Sequence, residues 1–416
     1  MSRGPWLGCV ADDYTGATDV AAGLRRSGIR TRLVFGVPST ALDISDTDAV
    51  VVALKTRTAP VADAVAQSRA ATRWLLGRGV EQLYVKYCST FDSTPTGNIG
   101  PVLDAVLDDA GQRLTVLCPA SPEHGRTVFH GHLFVADHLL SESSMATHPL
   151  TPMTDADLRR VLAPQTPHAI GLLDHAVLAA GTAAARERLE RLASEGIRHV
   201  VADAVDEADL AVLAAACAGL RVVSGGAGLA RAMASGRPVA GTAPLTLPDG
   251  PAVVVAGSCS NATLEQVEQA RAAMPSFKIT PLLSDDPEEI WSMTQTWLDE
   301  HLDSRTGKPV LVYSSATAAE RATSGHVFDI RTPDVLETLL ARTARHAVDR
   351  GARRVVVAGG ETSGAVVQAL GVGSVDIGQE ADTGVPWCLT PGPDPVALLL
   401  KSGNFGRPDL LVRAVA

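Results

Sequence analysis

Two adjacent carboxylates, Asp12 and Asp13, directly follow the apolar run "LGCVA", and such a pair is suited to acid–base chemistry. The run predicts a strand that ends at Ala11, and the residues after it show helical spacing up to Gly28. Ligands of open α/β sheets bind beyond the carboxyl ends of strands, where both aspartates would lie. We expect Asp12 to face the ligand as a general base and Asp13 to cap the helix and border the substrate. The alternative is two ordinary helix-capping aspartates, and the spacing leaves open which of them is the base.

A second group of polar residues combines cations with hydroxyl groups. The stretch "KYCSTFDSTPTGNIGP" begins at Lys86, directly after a predicted strand, and contains Asp92, Ser93 and further serines and threonines. Lys55 and Arg57 follow another predicted strand, so we expect these two cations and Lys86 to converge on one side of the sheet. Arginine presents a planar fork to a carboxylate and lysine a point charge, while the small polar groups hold hydroxyls. The pattern favours a pocket for a small polyhydroxy acid; the alternative is a solvated turn before a helix.

Three glycine-rich turns follow predicted strands in the second half of the chain. They are "GSCSNAT" at 257–263, "GGETSGAVV" at 359–367 and "LKSGNFG" at 400–406. Glycine lets the backbone approach an anion closely, and helix N-termini offer N–H groups to phosphate oxygens. Thr263 and Gln266 also predict a capping box for the first of the helices. The turns therefore indicate a phosphate-binding site.

Some familiar site patterns are absent from the sequence. It contains neither G-x-x-x-x-G-K-[ST] nor a complete G-x-G-x-x-G, which disfavours a P-loop enzyme and a nicotinamide-dependent dehydrogenase. The histidines between 124 and 138 lack carboxylate or cysteine partners at metal-ligand spacing, which disfavours a zinc site.

Composition narrows the class of protein further. The 416 residues carry a net charge of −10 without a block of lysine and arginine, which argues against nucleic acid and membrane partners. The six cysteines are scattered, as in a reduced, cytoplasmic protein. No stretch is long and apolar enough to predict a signal peptide or a membrane span. A homodimer is left open.

The elements that must position these residues alternate regularly. Short apolar runs are separated by longer amphipathic stretches, which predicts mainly parallel sheets covered by helices. The segment 236–251 is rich in proline, glycine and threonine and predicts a linker between domains at 1–235 and 252–416. We therefore expect two three-layer α/β domains with a cleft between them. The stretch 121–157 fits neither period and is typical of a lid or binding loop.

Taken together and in this order, the motifs resemble those of the four-carbon acid sugar kinase family. The resemblance covers both halves of the chain. It rests on "ADDYTGATD", "KYCSTFDST" with "GNIGPV", "HGRTVF" with "HPLTPMTD", "GSCSNAT", "GGETSGAVV" and "LKSGNFG".

The resemblance implies a sugar-acid site in the N-terminal domain and an ATP site in the C-terminal domain, with Mg²⁺ bridging the phosphates. Asp12 and Lys86 would then be catalytic, and Asp13, Arg57, Asp92 and Ser93 would bind the substrate. The residues expected to bind ATP are Ser258, Gly360, Glu361, Thr362, Ser363, Gly364 and Gly403. The motifs are most similar to the branch that phosphorylates 3-oxo-tetronate at its terminal hydroxyl; threonate or erythronate kinases and a non-catalytic sensor are the alternatives.

Overall fold

The computed structural model describes residues 4–39, 41–147, 151–237, 245–302, 307–317, 320 and 332–416. The chain divides into two compact units, Met1–Thr242 and Ala243–Ala416. Most of the predicted linker, at 238–244, and the start of "HPLTPMTD", at 148–150, lie outside the described residues.

The N-terminal unit is built on one parallel sheet. Its strands follow the spatial order β2-β3-β1-β4-β11-β5-β10-β9, and every pairing is parallel. The strands of this unit are β1 (Leu7–Ala11), β2 (Thr31–Phe35), β3 (Ala49–Ala53), β4 (Gln82–Lys86), β5 (Thr115–Cys118), β6 (Arg126–Phe129), β7 (His132–Val135), β8 (His138–Leu139), β9 (Ile170–Leu173), β10 (His199–Ala202) and β11 (Val222–Gly225). Strands β6, β7 and β8 form a separate small antiparallel sheet within the predicted binding-loop stretch.

Helices cover this sheet because its strands are apolar on both faces. All residues of β1 and β3 are buried. The helices pack in two groups, α2 with α3 and α1 with α8 and α7. The helices of the unit are α1 (Tyr14–Arg26), α2 (Val61–Gly77), α3 (Ile99–Ala110), α4 (Leu158–Leu162), α5 (His175–Ala179), α6 (Thr182–Ser194), α7 (Glu207–Ala216) and α8 (Ala227–Ala234).

The C-terminal unit has a mixed sheet in the order β13-β14-β12-β15-β18-β17-β16. The pairings from β13 to β18 are parallel, whereas β17 and β16 are added as antiparallel strands. The strands are β12 (Ala252–Ala256), β13 (Ser276–Lys278), β14 (Val310–Tyr313), β15 (Arg354–Ala358), β16 (Ser374–Asp382), β17 (Val385–Leu389) and β18 (Ala397–Lys401). The helices are α9 (Asn261–Ala273), α10 (Pro287–His301), α11 (Thr332–Asp349), α12 (Gly360–Ala369) and α13 (Leu410–Arg413).

The core of this second unit lies between β12, β15, β18 and β17 and the helices α9 and α13. Val254, Val356, Leu399 and Trp387 supply it from the strands, and Leu410 from α13. Two mainly parallel α/β units confirm the predicted fold class. None of the helices within the described ranges combines the length and the hydropathy that crossing a bilayer needs.

Candidate active site

The strand ends of the N-terminal unit bring the two aspartates and Arg57 together. Strand β1 lies between β3 and β4, so the chain leaves three neighbouring strands at one edge of the sheet. The Arg57 guanidinium donates from Nε to Asp12 Oδ2 at 2.9 Å and from Nη2 to Asp12 Oδ1 at 2.8 Å. Nη2 also donates to Asp13 Oδ1 at 2.6 Å. One arginine therefore holds both carboxylates in a fixed geometry.

Asp13 begins helix α1. Its Oδ1 accepts from the Gly16 backbone N–H at 3.1 Å, and its Oδ2 accepts from the Thr15 hydroxyl at 2.6 Å. The Asp13 carboxylate therefore accepts hydrogen bonds from Thr15, Gly16 and Arg57. The Asp12 carboxylate accepts two hydrogen bonds from the Arg57 side chain. The helix starts at Tyr14, directly after the Asp13 cap.

The two carboxylates differ in proton affinity. Burial raises the pKa of Asp12 above its ordinary value, although the charge and the hydrogen bonds of Arg57 oppose this; the neighbouring Asp13 charge adds to the rise. Burial also acts upward on the pKa of Asp13, but Arg57, Lys86 and the donors of Thr15 and Gly16 together lower it. Asp12 is accordingly the better proton acceptor of the pair, and Asp13 stays ionised.

Lys86 ends β4 beside the aspartates and is 4% exposed. Its Nζ donates to the backbone carbonyl of Tyr87 at 2.6 Å. A Cβ at Gly16 would lie 2.3 Å from Asp13 Oδ1 and 2.9 Å from Lys86 Nζ. A side chain at position 16 would therefore displace the helix-capping carboxylate or the cation.

The loop after β4 turns its polar groups towards the same place. Phe91 is buried and has a φ of 54°, a left-handed conformation that costs a non-glycine residue energy. It packs edge-on against Tyr87, with ring centroids 5.2 Å apart. The loop thereby places the Asp92 carboxylate 3.8 Å from the Arg57 guanidinium, with Thr90 donating to Asp92 Oδ1 at 2.5 Å.

Asn98 fixes the loop that carries Arg57. Its Nδ2 lies at 2.6 Å from the carbonyl oxygen of Thr56, 3.3 Å from that of Arg57 and 2.9 Å from that of Ala59. The sequence showed Asn98 only as one more polar side chain. Its link to a loop some 40 residues earlier in the chain appears only in the structure.

These residues line one pocket that encloses about 410 Å³, part of it open to solvent. Asp12, Arg57, Lys86, Asp92, Ser93 and Asn98 all contribute to its wall. Two buried polar atoms of this wall, Ser93 Oγ and Asn98 Oδ1, have no hydrogen-bond partner within the described part of the chain. Such atoms are costly unless a ligand or water satisfies them, so the pocket is suited to a molecule with several hydroxyls.

Lys55 does not join this group. Its side chain is exposed and its Nζ lies 5.4 Å from the centroid of the Tyr14 ring. The expected convergence therefore holds for Arg57 and Lys86 only. The reason is that the strand ends at Ala53 and the chain turns, so that residues 55 and 57 point to different sides.

The glycine-rich turns of the C-terminal unit also meet. They follow β12, β15 and β18, which are neighbours in the sheet and parallel, so the turns share its carboxyl edge. A Cβ at Gly403 would lie 2.4 Å from Ser258 Oγ. A Cβ at Gly359 would lie 3.1 Å from the Ser258 backbone nitrogen and 3.0 Å from Thr362 Oγ1. This close approach leaves room for glycine alone.

The turn before α12 has an unusual backbone conformation at its first glycine. The glycine with positive φ is Gly359, at 131°, whereas Gly360 is the first residue of the helix. Thr362 and Ser363 are buried, and the Ser363 hydroxyl donates to the Gly359 carbonyl at 2.7 Å. Gly364 is buried inside the helix as well, and Glu361 is exposed. Glu361 is thus the exposed side chain of this motif, and Gly360 is partly exposed.

Helix α9 begins one turn earlier than the predicted capping box. Ser260 is its N-cap and accepts from the Thr263 N–H at 3.3 Å. The prediction that Thr263 caps the helix with Gln266 was wrong, because Thr263 is already in the first turn. Gln266 instead donates to the carbonyls of Phe405, Gly406 and Arg407 and fastens the turn after β18.

Each of the two units matches a known family model. Residues 7–233 match the family model described as "Sugar-binding N-terminal domain", and residues 253–411 match "Nucleotide-binding C-terminal domain". The 3-oxo-tetronate kinase of Burkholderia multivorans is 48% identical over 419 residues, which cover 99% of this chain and 97% of that protein. That of Haemophilus influenzae is 41% identical and covers 97% of both chains.

Solved structures agree with these matches. The crystal structure of Haemophilus influenzae protein HI1011 superposes with a TM-score of 0.83 at 40% identity, covering 98% of each chain. A crystal structure from Salmonella typhimurium gives a TM-score of 0.88 at 38% identity, again over 98% of each chain.

Proposed function

The chain belongs to the four-carbon acid sugar kinase family, and we propose that it transfers the terminal phosphoryl group of ATP to the C4 hydroxyl of 3-oxo-tetronate. The products are 3-oxo-tetronate 4-phosphate and ADP. Curated relatives with 41% to 48% identity over nearly the whole chain carry the name of this activity, which supports the choice of substrate.

The observation that carries the proposal is the pair of aspartates held by one arginine. A kinase acting on an alcohol needs a base that takes the hydroxyl proton and a cation near the developing charge. Asp12, with its raised pKa, fits the first role. Lys86 lies beside the aspartates in the same pocket and fits the second.

Each residue of the pocket then has a role in the proposed reaction. Asp12 accepts the proton of the C4 hydroxyl. The hydroxyl oxygen attacks the terminal phosphorus of ATP, and ADP leaves. Asp13 stays ionised and fixes Arg57, which aligns Asp12. The Asp92 carboxylate accepts a hydrogen bond from a hydroxyl of the acid, and Ser93 binds a hydroxyl or carbonyl group. Lys86 stabilises the negative charge that develops in the transition state.

The glycine turns of the C-terminal unit suit the ATP phosphates. Helices α9 and α12 begin at the turns after β12 and β15, and their N-termini offer N–H groups that attract anions. The turn after β18 packs against the first of these turns, because a Cβ at Gly403 would lie 2.4 Å from Ser258 Oγ. Mg²⁺ would neutralise phosphate charge and would take most of its ligands from phosphates and water. Ser258 and Glu361 are among the side chains of these turns that carry oxygen atoms.

The proposal is tested with purified protein, ATP, MgCl₂ and a panel of four-carbon acids that contains 3-oxo-tetronate, threonate and erythronate. ADP formation is followed by a coupled assay, and the product is identified by phosphorus NMR. We expect 3-oxo-tetronate to give the highest kcat/KM and a phosphate ester at C4.

Other results would reject specific parts of the proposal. A preference for threonate or erythronate keeps the kinase chemistry and corrects the substrate. Binding of an acid without any ADP formation indicates a sensor, and acid-dependent reduction of a nicotinamide cofactor would indicate a dehydrogenase.

We also infer a cytoplasmic location. All six cysteines are free, including the partly exposed Cys88 and Cys259, as expected in a reducing compartment. Fractionation of the native cells with an antibody to the protein measures this directly.

A further inference from the structure

Lys401, the last residue of β18, connects all three glycine turns. Its backbone carbonyl accepts from the Gly359 N–H at 3.0 Å. Its Nζ donates to Thr263 Oγ1, in the first turn of α9, at 2.9 Å, and to the carbonyl oxygen of Gly403 at 3.0 Å. One side chain and its own backbone thus touch the turns after β12, β15 and β18.

The Gly403 carbonyl is drawn inward by three donors. Besides Lys401 Nζ, the hydroxyls of Ser260 and Thr263 donate to it at 2.6 Å and 2.8 Å. In a trans peptide the N–H points away from the carbonyl, and the chain has no cis peptide within the described ranges. The N–H of the exposed Asn404 therefore faces away from Lys401, on the outer side of the turn.

The charge of Lys401 lacks an anionic partner. The side chain is fully buried, and none of the carboxylates within the described ranges forms an ion pair with it. Burial lowers its pKa to about 8. It faces the hydroxyls of Ser260 and Thr263 from the α9 side, the Gly359 backbone from the β15 side and the Gly403 carbonyl from its own turn, and none of these groups titrates near that pH.

A buried cation without a counter-ion is expensive, and a nearby anionic ligand relieves that cost. We propose that Lys401 is a positioning residue of the nucleotide site, which orients the 403–404 turn towards the phosphates and supplies the positive charge that balances them. The inference rests on the proposed function, because it takes the anion at these turns to be a nucleotide. It adds a residue and an electrostatic role to that site.

The test measures MgADP binding by isothermal titration calorimetry at pH 7.5, 8.5 and 9.5. Three variants are compared with the unaltered protein. Lys401→Met keeps the length of the side chain without charge or donor, Lys401→Gln keeps a donor without charge, and Lys308→Met is the matched control at an exposed lysine next to the amino end of β14. Melting curves show that each variant is folded.

We expect Lys401→Met to raise the Kd about 10- to 100-fold at pH 7.5, the value of a charge-assisted hydrogen bond. Lys401→Gln should lie between Lys401→Met and the unaltered protein, and Lys308→Met should bind normally. In the unaltered protein, binding should be constant below the pKa of Lys401 and weaken by up to about tenfold per pH unit above it, because MgADP favours the charged lysine. Both Lys401 variants should lose this pH dependence.

The inference is overturned if the unaltered protein binds MgADP with the same Kd at all three pH values, or if Lys401→Met or Lys401→Gln binds as tightly as the unaltered protein at pH 7.5. The first of these results needs no variant and so does not depend on how the variants fold. Absence of MgADP binding to the unaltered protein would instead overturn the proposed function, and this inference with it.

Discussion

Exchanging each aspartate for asparagine separates the roles of Asp12 and Asp13. Asp12→Asn removes the proton acceptor but keeps a side chain of the same shape beside Arg57. Since a general base contributes about 10²- to 10⁴-fold to a rate, we expect kcat to fall by that factor. The melting temperature should fall less than in Asp13→Asn, because burial already disfavours the ionised form of Asp12 in the folded protein.

Asp13→Asn should affect stability more than it affects kcat. Asparagine caps a helix about as well as aspartate, so α1 keeps its N-cap. The variant loses charge-assisted bonds to Arg57 and Thr15, each of which contributes about 1.5–3 kcal/mol to stability. We therefore expect a lower melting temperature and a much smaller loss of kcat than in Asp12→Asn.

The pH profile provides a second measurement in the same experiment. The Asp13 charge raises the pKa of Asp12, so removing this charge should move the acid limb of kcat/KM to lower pH. Initial rates with saturating MgATP are measured from pH 4.5 to 8 for both variants and the unaltered protein. An Asp12→Asn enzyme with normal kcat, or an Asp13→Asn enzyme whose acid limb moves upward, would refute the assignment of the base.

Three further changes test other parts of the two sites. Lys86→Ala should lower kcat/KM by at least about 10²-fold through loss of charge stabilisation. Calorimetry should give an unchanged Kd for MgADP. Equal losses in kcat/KM and in MgADP affinity would contradict the assignment of catalysis to the N-terminal unit and of nucleotide binding to the C-terminal unit. Gly359→Val places a side chain against Ser258 at a φ of 131°, so the Kd for MgADP should rise by more than about tenfold in a folded protein; unchanged binding would remove this turn from the site. Asn98→Ala leaves the carbonyls of the Arg57 loop without their donor, and we expect a melting temperature several degrees lower and a raised KM for the acid; a normal KM would show that the loop is held by other contacts.

The residues that directly follow predicted strands were predictable from the sequence. Asp12, Arg57 and Lys86 lie near strand ends, and parallel strands deliver their carboxyl ends to one edge, so their convergence follows from the alternation of strands and helices. The direction of a side chain after a turn does not follow from this rule. Lys55 is therefore exposed against Tyr14, while Arg57, two residues later, points into the pocket.

Contacts between distant segments were not predictable. The three bonds of Asn98 reach back to residues 56–59, and Gln266 reaches forward to residues 405–407, in both cases through amide groups that suit many environments. The cap of α9 was misplaced for a related reason. Ser260 and Thr263 are both acceptable N-cap residues, and only the turn around Ser258 selects the first of them.

The position of β11 bears on how the protein is made. This strand is inserted between β4 and β5, with Gly225 in register with Lys86 and the Tyr87 N–H donating to the Gly225 carbonyl. The strand that carries Lys86 thus lacks one neighbour until residue 225 has emerged from the ribosome. At about 5–20 residues per second, synthesis of the chain between Lys86 and Gly225 takes on the order of 7–28 s, during which an apolar strand edge stays unpaired. Nascent chains that end before β11 should therefore depend on chaperones, and the sugar-acid pocket should form only when the N-terminal unit is almost complete.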